Sequence, residues 1–183
     1  MRVYLDTGVF IDYLSIRGTA NAALRASERR GRAPLEMAED AERLLEKVSR
    51  SHTGATSCLT YYEVEEALYR LLAQSAKGVS HTDTLLIPVA RSITTQVQIV
   101  VEFFDITVLD LTAETIRLQL QQLDLQTRGV RAADALHAAT SIAFDADILV
   151  TTDEGLLQMD EILVNHQGRK ILCRDTDSAP ELL

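Results

Sequence analysis

Met1-Arg2-Val3-Tyr4-Leu5-Asp6-Thr7-Gly8-Val9-Phe10-Ile11-Asp12-Tyr13-Leu14 decides the fold. Val3 to Leu5 is short and β-prone, and from Thr7 onward Val9, Phe10, Tyr13 and Leu14 recur at helical spacing. The chain opens strand, Asp6, helix, and the alternation then repeats. Residues 54–58 read as a strand, and Thr60 starts a helix running through Leu68 to about Ala73. Residues 106–109 form a third strand, followed by a helix over 112–123 with Ile116, Leu120 and Leu123 facing inward. An alanine-rich helix over 132–144 precedes a strand at 148–150, and a last strand occupies 171–173. Such alternation over short connections requires crossovers. The expected class is α/β, a three-layer α/β/α sandwich around a central, mostly parallel sheet.

Two segments exceed this minimal pattern. Residues 15–51 are charged and broken at Gly18, Gly31 and Pro34, after which Met37, Ala41, Leu44, Leu45 and Val48 share a helical face. This predicts a helical hairpin inserted around residues 17–51. Residues 74–87 read as a loop, with Pro88 in the first turn of the next helix, where its missing N–H would be unpaired anyway. Val89, Ile93, Val97, Val100, Val101 and Phe104 supply that helix's buried stripe. One domain is expected over residues 1–173, with a mobile polar tail over 174–183.

With 183 residues, 46% of them hydrophobic, the chain can bury a core without staples. No apolar run approaches the roughly 20 residues of a membrane span, and the N-terminus enters a strand without an apolar signal core. A cytoplasmic protein with no membrane partner is expected. Cys58 and Cys173 lie far apart in apolar surroundings, which reads as two buried, reduced thiols. The net charge of −9 argues against holding nucleic acid by overall electrostatics, although a local basic patch could still do so. Arg29, Arg30 and Arg32 form the densest basic cluster, and Arg128 and Arg131 lie close to Asp134. The first group can equally be the solvated face of a charged hairpin.

Asp6, Glu63, Asp134 and Asp153 each stand where a strand ends or a helix begins. Side chains there converge on the crevice beyond the carboxyl ends of a parallel sheet. Crowded carboxylates repel unless a cation neutralises them, so the four suggest one metal site. Each also has a local explanation. Asp6 can cap a helix, Thr60-x-x-Glu63 has the spacing of a capping box, Asp134 is a first-turn acid, and Asp153 is a turn former. Asp6-Thr7-Gly8 is also the D-T-G of aspartic proteases, but those enzymes are β-rich and pair two such motifs. His137, three residues after Asp134, could share its face; a lone histidine on an alanine-rich helix is more often a packed residue, and it is left outside the ligand set.

Four segments in order, Val3 to Leu14, Ser57-Cys58-Leu59-Thr60-Tyr61-Tyr62-Glu63-Val64, Ala133-Asp134-Ala135-Leu136-His137-Ala138-Ala139-Thr140 and Ile148-Leu149-Val150-Thr151-Thr152-Asp153, resemble the PIN-domain nucleases. Within that family the chain is most similar to the VapC-like toxins of toxin-antitoxin modules. The resemblance implies an α/β/α fold and an acidic tetrad of Asp6, Glu63, Asp134 and Asp153, with Thr151 supporting the last aspartate. It also implies a homodimer and an antitoxin covering the site. Gly155 stands where family members often carry a further acid, and the segments 15–51 and 74–87 are longer than in a minimal toxin.

Carboxylate ligands select a hard cation, Mg²⁺ or Mn²⁺. The expected activity is metal-dependent endoribonuclease hydrolysis of RNA, as the toxin of a toxin-antitoxin pair. The alternatives are a stand-alone nuclease in RNA processing and a catalytically weak binding or regulatory domain.

Overall fold

The computed structural model describes residues 1–17, 28–78 and 82–183. Strands β1 (Arg2–Leu5), β2 (Thr53–Ser57), β3 (Thr107–Leu109), β4 (Ile148–Val150) and β5 (Leu172–Arg174) pair in parallel throughout, in the order β3-β2-β1-β4-β5. The order reverses at β1, so a crevice opens beyond the carboxyl ends of β1 and β4, the usual ligand position in such sheets.

Period-two alternation divides the core. Val3, Leu5, Ile148 and Val150 enter one apolar cluster, and Tyr4 and Leu149 enter the other. The first cluster is covered by α1 (Thr7–Arg17), α2 (Pro34–Ser51), α3 (Leu59–Ser75), α4 (Thr82–Arg91) and α5 (Ile93–Phe103). On the opposite face lie α6 (Ala113–Gln121), α7 (Leu123–Thr127), α8 (Ala132–Ala143) and α9 (Glu154–Leu157). This is the expected three-layer sandwich. Burial on both faces explains why β4 is apolar without alternation.

Of the segment expected as a helical hairpin, the later part forms a helix, α2. Pro34 begins α2, Glu36 accepts the Ala33 N–H at 2.7 Å, and Met37, Ala41, Leu44, Leu45 and Val48 are buried as the spacing required. Each of the larger side chains contributes about 1.5–3 kcal/mol of burial. Residues 28–33 are not helical, Arg29 and Arg32 pairing in an antiparallel bridge, and residues 18–27 of that expectation lie outside the described residues.

Several expectations are corrected. Pro88 sits inside α4 rather than at a helix start, so part of the segment expected as a loop is helical. Val89 is 52% exposed, because the proline-containing turn faces solvent while Ala90 and Ile93 face inward. The stretch Asp83–Phe103 is, contrary to the reading of the sequence, long and apolar enough by length and composition to cross a membrane. Its α5 half buries Ile93, Val97, Val100 and Val101 in the core, as the inward face of a packed helix does. Ile116, Leu120 and Leu123 point outward; α6 packs on α8 through the opposite side, burying Thr115. Cys58 is exposed at the entrance to α3, whereas Cys173 is buried and its thiol is pushed up to about 12, chiefly by desolvation.

The last strand begins one residue later than expected, and residues 174–183 are packed rather than loose. Thr176, Ala179 and Pro180 are buried, a short 3₁₀ turn spans Ala179–Glu181, and Lys47 Nζ donates to the Pro180 carbonyl. On the outer edge of β5, the Cys173 N–H is accepted by Asp160 Oδ1 at 3.0 Å.

Candidate metal centre

The four acids line one cleft of about 600 Å³. Asp6 arrives directly from β1, and Asp153 follows β4 by three residues. Glu63 comes from the second turn of α3 and Asp134 from the first turn of α8. Gly8 belongs to the same wall. A Cβ on it would fall 2.0 Å from Thr152 Oγ1, so only glycine lets α1 pass the β4 exit this closely.

Asp6 is almost completely buried and held on both carboxylate oxygens. The Thr7 N–H donates to Oδ1 at 2.7 Å, and Thr151 Oγ1 donates to Oδ2 at 2.6 Å. Thr151 Oγ1 also accepts the Asp153 N–H at 3.0 Å, so one hydroxyl links the first and last aspartates. Asp153 is at the same time the N-cap of α9, accepting the Leu156 N–H at 3.0 Å. Capping and cleft lining coexist there.

Glu63 does not close a capping box. The N-cap of α3 is Cys58, without a side-chain cap bond, and Thr60 Oγ1 instead lies 2.8 Å from Thr56 Oγ1. Glu63 Oε2 accepts a hydrogen bond from Thr7 Oγ1 and lies 2.8 Å from His137 Nε2. His137 Nε2 is also 3.4 Å from Asp6 Oδ1, and its Nδ1 meets the Tyr4 hydroxyl at 2.7 Å. Donor atoms of Asp6, Glu63 and His137 all lie within 4.8 Å of one another. His137, left outside the ligand set by its sequence context, is therefore part of the centre. Its three-residue offset from Asp134 was the available signal. Thr7 was visible only as the middle of Asp6-Thr7-Gly8, and its contact with Glu63 spans 56 positions.

The charges are unevenly compensated. Desolvation pushes the Asp6 carboxyl up, against His137 and its two hydrogen bonds. Desolvation also raises Glu63, but hydrogen bonding and charge from His137, with Thr7, outweigh it and hold this carboxyl below its usual range. Burial lowers His137, yet Asp6 and Glu63 draw it above its ordinary value. Asp134 is raised to about 6 by desolvation and then by the charges of Asp153, Asp6 and Glu63. Among the described residues its carboxylate accepts no hydrogen bond.

Residues 3–162 match the family model for the PIN domain. This chain belongs to the PIN domain family. Among solved structures it is similar to VapBC2 from Rickettsia felis bound to a DNA fragment from its promoter. That likeness has 14% sequence identity and a TM-score of 0.53, covering 96% of this chain and 98% of the other, and it supports the fold. No curated protein matches.

The donor set of this PIN domain fits a hard divalent cation. Asp134 and Asp153 line the cleft without a salt bridge among the described residues, the charge of His137 offsetting only part of the push on Asp134, while Asp6 and Glu63 are already fixed by Thr151, Thr7 and His137. Gly155, in place of a further acid, lies close by: a Cβ there would stand 3.0 Å from Asp153 Oδ1.

The basic residues divide into two groups. Arg29, Arg30 and Arg32 are not a free patch. Arg29 grips the fully buried Asp12 through both terminal nitrogens at 3.2 and 2.7 Å, and reaches Asp175 at 3.3 Å. Arg30 binds Asp175 and Glu154, and Arg32 binds Asp175 at 2.5 Å and Asp40 at 3.0 Å. Arg30 and Gly31 both take positive φ, 52° and 74°, which turns the backbone so that all three guanidinium groups meet one carboxylate. Arg128 and Arg131 are exposed, and Arg131 lines the cleft.

Proposed function

We propose that this PIN domain is a metal-dependent endoribonuclease acting as the toxin of a toxin-antitoxin pair. The observation that carries the reading is the convergence of four carboxylates on one cleft, one of them raised to about 6 by its neighbours. A bound Mg²⁺ or Mn²⁺ would supply a water of lowered pKa and a counter-charge for the phosphodiester transition state. Asp6, Asp134 and Asp153 would hold the cation, and Glu63 would serve as a ligand or water-positioning group. Thr151 keeps Asp6 and Asp153 in mutual register. Thr7 and His137 fix the Glu63 carboxylate. Arg131, and Arg128 beside it, would attract the RNA backbone to a cleft that is otherwise repulsive.

Cleavage of RNA is measured with Mn²⁺, Mg²⁺ or EDTA, comparing wild type with Asp134→Asn. The reading requires cleavage only with a divalent ion and a loss of at least a hundredfold in the variant. Equal cleavage in EDTA, or by Asp134→Asn, overturns it. The Rickettsia felis relative is a VapBC complex, which supports a cognate antitoxin for this chain. Exposed Leu85, Val89, Ile99 and Phe103 on α4 and α5 support a homodimer, for which solution mass is the check.

A further inference from the structure

One wall of the acidic cleft carries a feature that metal binding does not use. On α3, Tyr62, Glu66 and Arg70 recur at four-residue spacing beside Glu63, so this helix face runs outward from the carboxylates. From Glu63 to Arg70 the helix rises about 10 Å, several times the ~3.4 Å per nucleotide of a stacked strand. The wall therefore extends past the reacting phosphate. Tyr62 is 63% exposed, and among the described residues its hydroxyl has no hydrogen-bond partner and its ring no aromatic neighbour. An exposed aromatic ring one residue from Glu63, on the lining of the cleft, adds nothing to the core.

The cleft also has room for a flat group. Ala67 on this wall and Ala133 on the other are small, and Arg131 lies on the far side without an ion-pair partner among the described residues. No asparagine or glutamine lines the cleft, so the described lining lacks the amides that read base edges.

We infer that Tyr62 is a specificity-determining residue that stacks on an unpaired base next to the scissile phosphate, while Arg131 holds the backbone opposite. The inference rests on the nuclease reading for its substrate. Stacking on an aromatic face tolerates every base but requires one to be present, and requires it out of a duplex.

The test is binding of a short single-stranded RNA carrying 2-aminopurine, in EDTA so that nothing is cut, by wild type, Tyr62→Phe, Tyr62→Leu and Tyr62→Ala. Stacking predicts quenched 2-aminopurine fluorescence and equal affinity for wild type and Tyr62→Phe, with roughly tenfold weaker binding and no quenching for the leucine and alanine variants. A strand with an abasic position should bind wild type as weakly as the intact strand binds Tyr62→Ala. Equal affinity and quenching in all four proteins overturns the inference, as does absence of binding by wild type. Cleavage of the same strand by wild type with Mn²⁺ is read separately; its absence sinks the nuclease reading while leaving the stacking result standing. Tyr62 is exposed, so unfolding is not expected, and circular dichroism of each variant verifies it.

Discussion

Thr151 Oγ1 donates to Asp6 Oδ2 at 2.6 Å, tying the exit of β4 to the exit of β1 beneath the cleft. Thr151→Val should leave a buried carboxylate oxygen and the Asp153 N–H without their partner. A loss of about 2 kcal/mol in urea denaturation is expected, with Thr151→Ser recovering most of it. A valine variant as stable as wild type would mean that this hydroxyl does not hold Asp6.

Asp134 titrates near 3.8 when unfolded and at about 6 in the native protein, so the folded state binds its proton more tightly. Its contribution is fully present below about pH 4 and is lost as pH rises through about 6. In EDTA, Asp134→Asn should therefore be more stable than wild type at pH 7.5, by about 1 kcal/mol after allowing for the partial solvent exposure of the carboxyl. At pH 4 the advantage should vanish. A pH-independent difference between the two proteins contradicts this account.

Salt titration separates the two sets of arginines. Arg131→Ala should weaken RNA binding and reduce the logarithmic salt slope by about 0.7, the value for one contact to a single-stranded phosphate. Arg32→Ala should leave the slope unchanged and instead lower stability by about 1.5 kcal/mol, since Asp175 keeps Arg29 and Arg30, and Asp40 keeps Arg43, but both lose a charge-assisted contact. A flattened slope for Arg32→Ala would return that residue to the RNA surface.

Gly8→Ala places a methyl 2.0 Å from Thr152 Oγ1 and 2.7 Å from its methyl. The clash should push Thr152 from its place between Thr151 and Asp153, costing about 1–3 kcal/mol and most of the metal-dependent stabilisation. Thermal melts with and without Mn²⁺ measure both effects, and an unaltered metal-induced shift would show that the β4 exit accommodates the change.

The strands were legible because short apolar runs ending at Asp6 and Asp153 leave few alternatives, and the alanines of α8 announced close packing. The four acids were legible because strand ends and helix starts are local features. Non-local geometry was not. Glu63 has the spacing of a capping box, yet Thr60 turns inward to Thr56 and Glu63 turns to His137. Ile116, Leu120 and Leu123 have a sound helical period, but periodicity gives a stripe without saying which way it faces. The arginines at 29, 30 and 32 looked solvated because their partners Asp12 and Asp175 are distant in sequence.

The Asp160 carboxylate on the Cys173 N–H has a consequence for how this molecule meets others. It occupies a donor that an incoming strand would need at the outer margin of β5, and Arg174 Nη1, 2.5 Å from the same carboxylate, keeps it there. Strand-to-strand polymerisation along that margin is discouraged, and assembly is directed to the helical faces instead.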